Sequence, residues 1–154
     1  MADPRDQLQQ RITSELIGVA RLYRREVDRR LTDHGLTDAR AVPILHIARS
    51  GDGMRQGALA EALGLEGPSL VRLLDQLCGA GLVERRDDPA DKRAKTLHIT
   101  DQGRAMAGVA EAALQKVRGE MLADVSFADL AATARTLAAL KITLDGAEKR
   151  AQAR

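Results

Sequence analysis

The sequence of 154 residues has no Trp, one Tyr and one Phe. A core built almost without aromatic rings has to be aliphatic, and Leu, Ala and Val must fill it. Leu and Ala are good helix formers, whereas the β-branched and aromatic strand formers are few, so a mainly α fold is expected. A single Cys, Cys78, excludes an internal disulfide framework and suits a reducing compartment. No apolar run approaches the ~20 residues that a bilayer span needs. The first residues, Met1-Ala2-Asp3-Pro4-Arg5-Asp6, lack the apolar segment of a secretory leader. A soluble, cytoplasmic protein without a membrane partner is therefore expected. There is no Gly-rich phosphate loop, no nucleophile motif and no paired acid–base constellation, which argues against an enzyme and against a cofactor. His34, His46 and His98 are scattered singly, and no Cys/His cluster has metal-ligand spacing. Net charge is only +2, so the distribution of charge has to be read, not the total.

What is present is a succession of helical patterns broken once by a strand pattern. Leu8, Ile12, Leu16, Val19, Tyr23, Val27 and Leu31 recur at helical spacing, predicting a long amphipathic helix from Arg5 to about Asp33, with Gly35 beyond its end. Thr37 is a candidate N-cap for a second helix reaching about Ala48, with Pro43 inside it. Ser50 to Gly53 is turn chemistry. A short helix is expected from Arg55 to Leu63, with Leu59, Ala62 and Leu63 facing inward and Gly64 stopping it. Pro68 fits the first position of the next helix, which ends at Gly79-Ala80-Gly81. The period then shortens. Leu82 to Arg86 and Lys95 to Ile99 read as two strands of a hairpin around the turn Asp87-Asp88-Pro89-Ala90-Asp91. Thr100-Asp101-Gln102-Gly103 opens a long helix to about Ala123. Ser126-Phe127-Ala128-Asp129 resembles a capping box ahead of a final Ala-rich helix that frays near Arg150. Its stripe is Leu130, Ala134, Leu137, Leu140 and Leu144.

Two short helices joined at a Gly turn and followed by a hairpin is the order of a winged helix-turn-helix. The second of these helices can be divided by face. Leu70, Leu73, Leu74 and Leu77 lie at core spacing. Ser69, Arg72 and Gln76 lie on another face and carry the groups that meet base edges and phosphates: Arg pairs with guanine, Gln with adenine, and Ser reaches a phosphate. The helix N-terminus, at Pro68, adds backbone donors. On a lone helix such residues would be an ordinary solvated face. The hairpin beside it changes that reading, because its tip carries Lys92, Arg93 and Lys95 with no apolar cargo. Arginine placed in a narrow minor groove reads shape, and Asp91, two residues before Arg93, could hold that guanidinium. Cys78, late in the same helix near its apolar side, is read as a packed side chain.

Asp88-Pro89-x-Asp91-x-Arg93 followed by Leu97-x-Ile99-Thr100-x-x-Gly103 closely resembles the wing signature of the MarR family of bacterial regulators. Leu63-Gly64-Leu65-Glu66-Gly67-Pro68-Ser69-Leu70-Val71-Arg72 resembles the start of the recognition helix in its SlyA-like branch. The resemblance implies a homodimer joined through terminal helices, binding inverted-repeat operators in double-stranded DNA and repressing by occluding promoters. It assigns Ser69, Arg72 and Gln76 to the major groove and Arg93 to the minor groove, with Asp91 orienting it. Arg55, Lys92 and Lys95 join these as candidate contacts. A division follows: residues 37–100 as the winged DNA-binding domain, and 5–35 with 101–150 as a helical dimerisation region. A short chain cannot easily bury three long helical stripes by itself, and two-fold pairing buries them. The resemblance also implies a small phenolic or aromatic carboxylate effector, with Arg21 and Arg24 flanking Tyr23 at matching positions. Ala41 and Leu45 depart from the aromatic and histidine found there in some relatives. The competing reading is a helical protein–protein module whose winged domain has lost DNA binding.

Overall fold

The computed structural model describes residues 3–51, 53–91 and 93–152, apart from the side chains of 148, 149 and 152. The elements run α1 (Pro4–Thr32), α2 (Asp38–Ser50), β1 (Met54–Arg55), α3 (Gln56–Leu63), α4 (Gly67–Gly79), β2 (Val83–Asp87), β3 (Lys95–Ile99), α5 (Asp101–Met121) and α6 (Phe127–Gln152). The mainly helical class and the winged order expected from the sequence are those observed. Two compact units are distinguished, Met1–Val117 and Arg118–Arg154.

The first unit carries the aliphatic core that the lack of aromatics demanded. Ile44 and Ile47 of α2, Leu59 of α3, Leu74 and Leu77 of α4, and Leu97 of β3 are fully buried together. From α1 only Val27 and Leu31 are buried, with Tyr23 half-buried against them. The earlier part of the α1 stripe, including Leu8, Ile12, Leu16 and Val19, is exposed. Pro43 lies inside α2 without ending it and is itself buried.

Several local expectations are corrected. Thr37 occupies the N-cap position of α2, but its side chain makes no capping bond. Instead the Asp38 N–H donates to Oδ1 of Asp28 on α1, at 2.6 Å. A carboxylate accepts more strongly than a hydroxyl, and the turn at Gly35 (φ +69°) returns the chain to within its reach. Arg55 is the N-cap of α3, whose first residue is Gln56, and it also belongs to a strand that the sequence pattern does not show. Met54 and Arg55 form a strand, with Met54 opposite Leu97 and Arg55 opposite Thr96. The sheet is therefore three-stranded and antiparallel in the order β1-β3-β2, not a simple hairpin. A strand of two residues is too short to show alternation, so only its partner specifies it. On α3 the buried face is Leu59 with Ala60 and Leu63 half-buried, while Ala62 is exposed. Pro68 stands second in α4, after Gly67, where its missing N–H is equally harmless. β2 starts one residue later than expected, at Val83, and β3 spans Lys95–Ile99 as expected.

The Leu97-x-Ile99-Thr100-x-x-Gly103 motif has a compact physical explanation. Leu97 and Ile99 bury the inner face of β3. The Thr100 hydroxyl donates to the Gly81 carbonyl at 2.7 Å and accepts the Gly103 N–H at 2.9 Å, capping α5. Gly103 then lets α5 pass so close to the β2 approach that a Cβ there would sit 2.0 Å from the Leu82 carbonyl oxygen.

In the second unit, Ser126 Oγ accepts the Asp129 N–H at 3.1 Å and its hydroxyl meets Asp129 Oδ2 at 2.6 Å, so the expected capping residues do cap α6. Among the described residues of α6 none is buried, and Phe127 is 85% exposed.

Candidate nucleic-acid interface

The face analysis of α4 is realised in three dimensions. Leu70, Leu74 and Leu77 are buried and Leu73 is half-buried. Pro68, Ser69, Arg72 and Gln76 are all exposed. The apolar stripe locks the helix onto the core, and this fixes the direction in which Ser69, Arg72 and Gln76 project, one helical turn after another. Arg72 has no salt-bridge partner among the described residues. Cys78 is half-buried and packed against the core.

The wing tip is shaped by two aspartates with different tasks. Asp88 is only 6% exposed. Its carboxylate accepts the Ala90 N–H at 2.8 Å and the Arg55 guanidinium at 2.9 Å. Its backbone closes the turn from both sides, the Asp88 N–H donating to the Ala94 carbonyl and its own carbonyl accepting from Asp91. Asp88 thus ties the turn to β1 at the start of α3. Arg55 and Asp88 are far apart in sequence, and strand β1 brings them together. Arg55, a candidate DNA contact, also anchors the wing, and its side chain is still 61% exposed.

Asp91 works on the backbone first. Its Oδ1 accepts the Arg93 N–H at 3.0 Å, while the Arg93 guanidinium Nε lies 3.8 Å from the same oxygen. Asp91 therefore sets the turn from which Arg93 projects, and holds the guanidinium itself only loosely. Arg93 is 96% exposed at its side chain. Lys95, at the first position of β3, pairs with Asp87 opposite it. Lys92 lies outside the described residues. Across β2, Arg85 reaches back to Asp75 and Cys78 of α4, and these contacts, the thiol foremost, raise its pKa above the usual guanidinium value.

Asp88 also gives a pH signature. The Ala90 N–H, followed by the Arg55 charge, holds its carboxyl below the usual range against the opposing effect of desolvation. A depressed folded-state pKa means that the stabilisation is complete above the ordinary Asp value of about 4 and is lost as pH falls through the lower folded value. Asp88→Asn should therefore be less stable than wild type at neutral pH. The gap should narrow as pH falls from about 5 toward 3, as followed by urea denaturation at each pH. A gap that stays constant across that window would show that the carboxylate charge contributes nothing.

The positions of Arg21, Tyr23 and Arg24 differ. Tyr23 is half-buried, whereas Arg21 and Arg24 are exposed on either side of it. Beside them Asp38 has its pKa raised, by desolvation first and then by Asp28, with Arg24 opposing. Ala41 and Leu45 are buried.

This geometry can be set beside known proteins. The MarR family model matches residues 34–94, a stretch that runs through α2, α3, α4, β2 and the wing turn. The crystal structure of transcriptional regulator PA3341 is 35% identical over 88% of this chain and 98% of that one, with a TM-score of 0.80. This chain belongs to the MarR family. A MarR-family transcriptional regulator from Rhodococcus sp. RHA1 is 27% identical, with a TM-score of 0.75 over 86% of this chain and 94% of that one. MepR of S. aureus, solved as a complex with DNA, shares the fold at 17% identity and a TM-score of 0.78, over 85% of this chain and 96% of that one. The part of this MarR-family chain that matches the family model includes Ser69, Arg72, Gln76, Asp88, Asp91 and Arg93; Lys95 lies just beyond it.

Proposed function

We propose that this MarR-family chain is a sequence-specific DNA-binding transcriptional regulator, a repressor that acts as a homodimer on inverted-repeat operators. The observation that carries this reading is the separation of faces on α4. Its leucines are anchored in the core, and Ser69, Arg72 and Gln76 are left free beside a wing whose tip presents an almost fully exposed Arg93. In this reading α4 enters the major groove, where Arg72 and Gln76 meet base edges and Ser69 with the helix start meets phosphate. Arg93 enters the flanking minor groove. Lys92 and Lys95 add phosphate contacts, and Arg55 and Asp91 support the wing. Binding should weaken steeply with salt, because each neutralised phosphate releases counterions. An interface of six or more phosphate contacts loses about 10³-fold in affinity between 50 and 200 mM salt. Fluorescence anisotropy on a labelled palindrome across that range is the test. A folded protein whose weak binding ignores salt would contradict the proposal.

Two-fold pairing is supported by helix faces that lack cover. On α1, Leu8, Ile12, Leu16, Ile17 and Leu22 are exposed, Ile17 by 76%. On α6, Phe127, Leu137, Ile142 and Leu144 are exposed. Apolar surface of this extent on a single chain marks an association site. Residues 5–35 and 101–150 are accordingly proposed as the dimerisation region, and 37–100 as the DNA-binding domain. Isologous pairing would place two copies of α4 about one helical turn of DNA apart. Ile12→Glu with Ile17→Glu should convert the dimer to monomer in sedimentation equilibrium while the circular dichroism of the winged unit persists. An unchanged dimer would show that α1 is not in the interface.

Release from DNA by a small aromatic carboxylate is a further part of the proposal, with Arg21 and Arg24 as cations around the half-buried Tyr23 ring. This is the arrangement that a SlyA-like assignment would use.

A further inference from the structure

Arg85 is an unusual residue for its place in the sheet. Val83 and Arg85 share one face of β2, the face packed against α4, and Val83 is buried there. A guanidinium at that position pairs with Asp75 and lies against Cys78, both on α4. The other face of β2 is different in kind: Glu84 and Arg86 are exposed and pair with each other in solvent. The Asp75 side chain is 64% exposed and that of Arg85 only 27%, so the acid, not the arginine, lies nearer the outer surface of α4. Asp75 follows Arg72 by three residues, a spacing at which helical side chains meet. It also immediately precedes Gln76. Left alone, its carboxylate would be a neighbour able to pair with Arg72, and a negative charge on the helix proposed to enter the groove.

We infer that Arg85 is a positioning residue for DNA recognition: it holds the Asp75 carboxylate back against the wing strand and so leaves Arg72 free to read a base. This inference rests on the DNA-binding reading above. The same pair ties α4 to β2, the strand that carries the wing, so the two reading elements keep a fixed spacing. Arg85 need not touch DNA to do this. Its effect should pass entirely through Asp75, and that gives the inference a signature which general damage to the fold would not reproduce.

The test measures binding of the full-length protein to the palindrome that wild type itself selects from genomic fragments, with thermal melts alongside. Arg85→Gln should weaken binding by about tenfold, since it exposes an unpaired acid to the phosphates and to Arg72. Asp75→Asn should bind as well as wild type or better. The double variant should recover to within about threefold of Asp75→Asn, because the charge that Arg85 restrained is then gone. In the Arg85→Gln background, Arg72→Ala should cost much less than it does in wild type. If Arg85→Gln binds like wild type, or if Asp75→Asn fails to rescue it, the inference is overturned, and the second outcome would make Arg85 a direct contact or a fold determinant. Should Arg85→Gln not fold, Arg85→Lys keeps the opposing charge and should stay within about threefold of wild type. A loss of tenfold or more in a folded Arg85→Lys variant would overturn the inference as well. Failure of the underlying reading looks different, because wild type would then select no palindrome at all.

Discussion

Gly103→Ala is expected to destabilise the protein by about 3 kcal/mol or more, lowering Tm by roughly 10 °C for a chain of this size. An alanine is normally the better helix residue, by about 0.5–1 kcal/mol over glycine. The sign reverses at this position for lack of space, since the backbone there is ordinary helix with no positive φ. The added Cβ would meet the Leu82 carbonyl oxygen at 2.0 Å and the Ile99 side chain at 2.9 Å. The Ile99 side chain can turn aside, but Leu82 cannot. Its carbonyl is held by the Thr100 N–H and faces the Thr100 hydroxyl that caps α5, and its side chain is buried in the core. The same helix supplies an internal control. An added Cβ at Gly108 meets nothing within 4 Å, so Gly108→Ala should raise stability by about 0.5–1 kcal/mol. Thermal melts of the two variants should move in opposite directions. A Gly103→Ala protein as stable as wild type would mean that α5 does not pass the strands as closely as described.

The second large effect concerns DNA. Arg72→Ala and Arg93→Ala should each weaken binding to the selected palindrome by roughly 1–3 kcal/mol. They sit on different elements without a shared partner, so their effects should nearly add, and the double variant should lose about 30-fold or more. The two losses should differ in kind. Without Arg72, base preference should relax at one position in each half-site. Without Arg93, preference should relax for sequences that narrow the minor groove. Melting temperatures should barely change, because Arg93 is almost fully exposed and neither side chain holds the core. A double variant that still binds within a few-fold of wild type would remove both residues from the interface.

The parts of this molecule that could be read in advance are those in which one element carries its own signal. The leucine spacing of α4 specified both its buried face and, by subtraction, its exposed readers. The alternation in β3 gave its limits, and Ser126 with Asp129 announced the start of α6. What could not be read depends on contacts distant in sequence. β1 is two residues long and exists because β3 offers it an edge. Arg55 can be read as the start of α3, but without β1 its bond to Asp88 is invisible. The capping of α2 by Asp28, rather than by Thr37, depends on how the turn at Gly35 returns the chain. The pairs Lys95–Asp87 and Arg85–Asp75 show the same limit: a cation on a basic wing looks free until its acidic partner is found. The family resemblance pointed to the wing motif, and the structure supplies a reason for several of its positions. Asp88 closes the turn, Asp91 shapes it, Thr100 caps α5, and Gly103 admits α5 against Leu82.

The most direct test of the central claim is selection of genomic fragments by the purified, folded protein, followed by sequencing of what it retains. The account predicts enrichment of one short inverted repeat, its half-sites about one helical turn apart, with the enrichment lost in the Arg72→Ala, Arg93→Ala variant. A folded protein that retains fragments without preference for any sequence would contradict it.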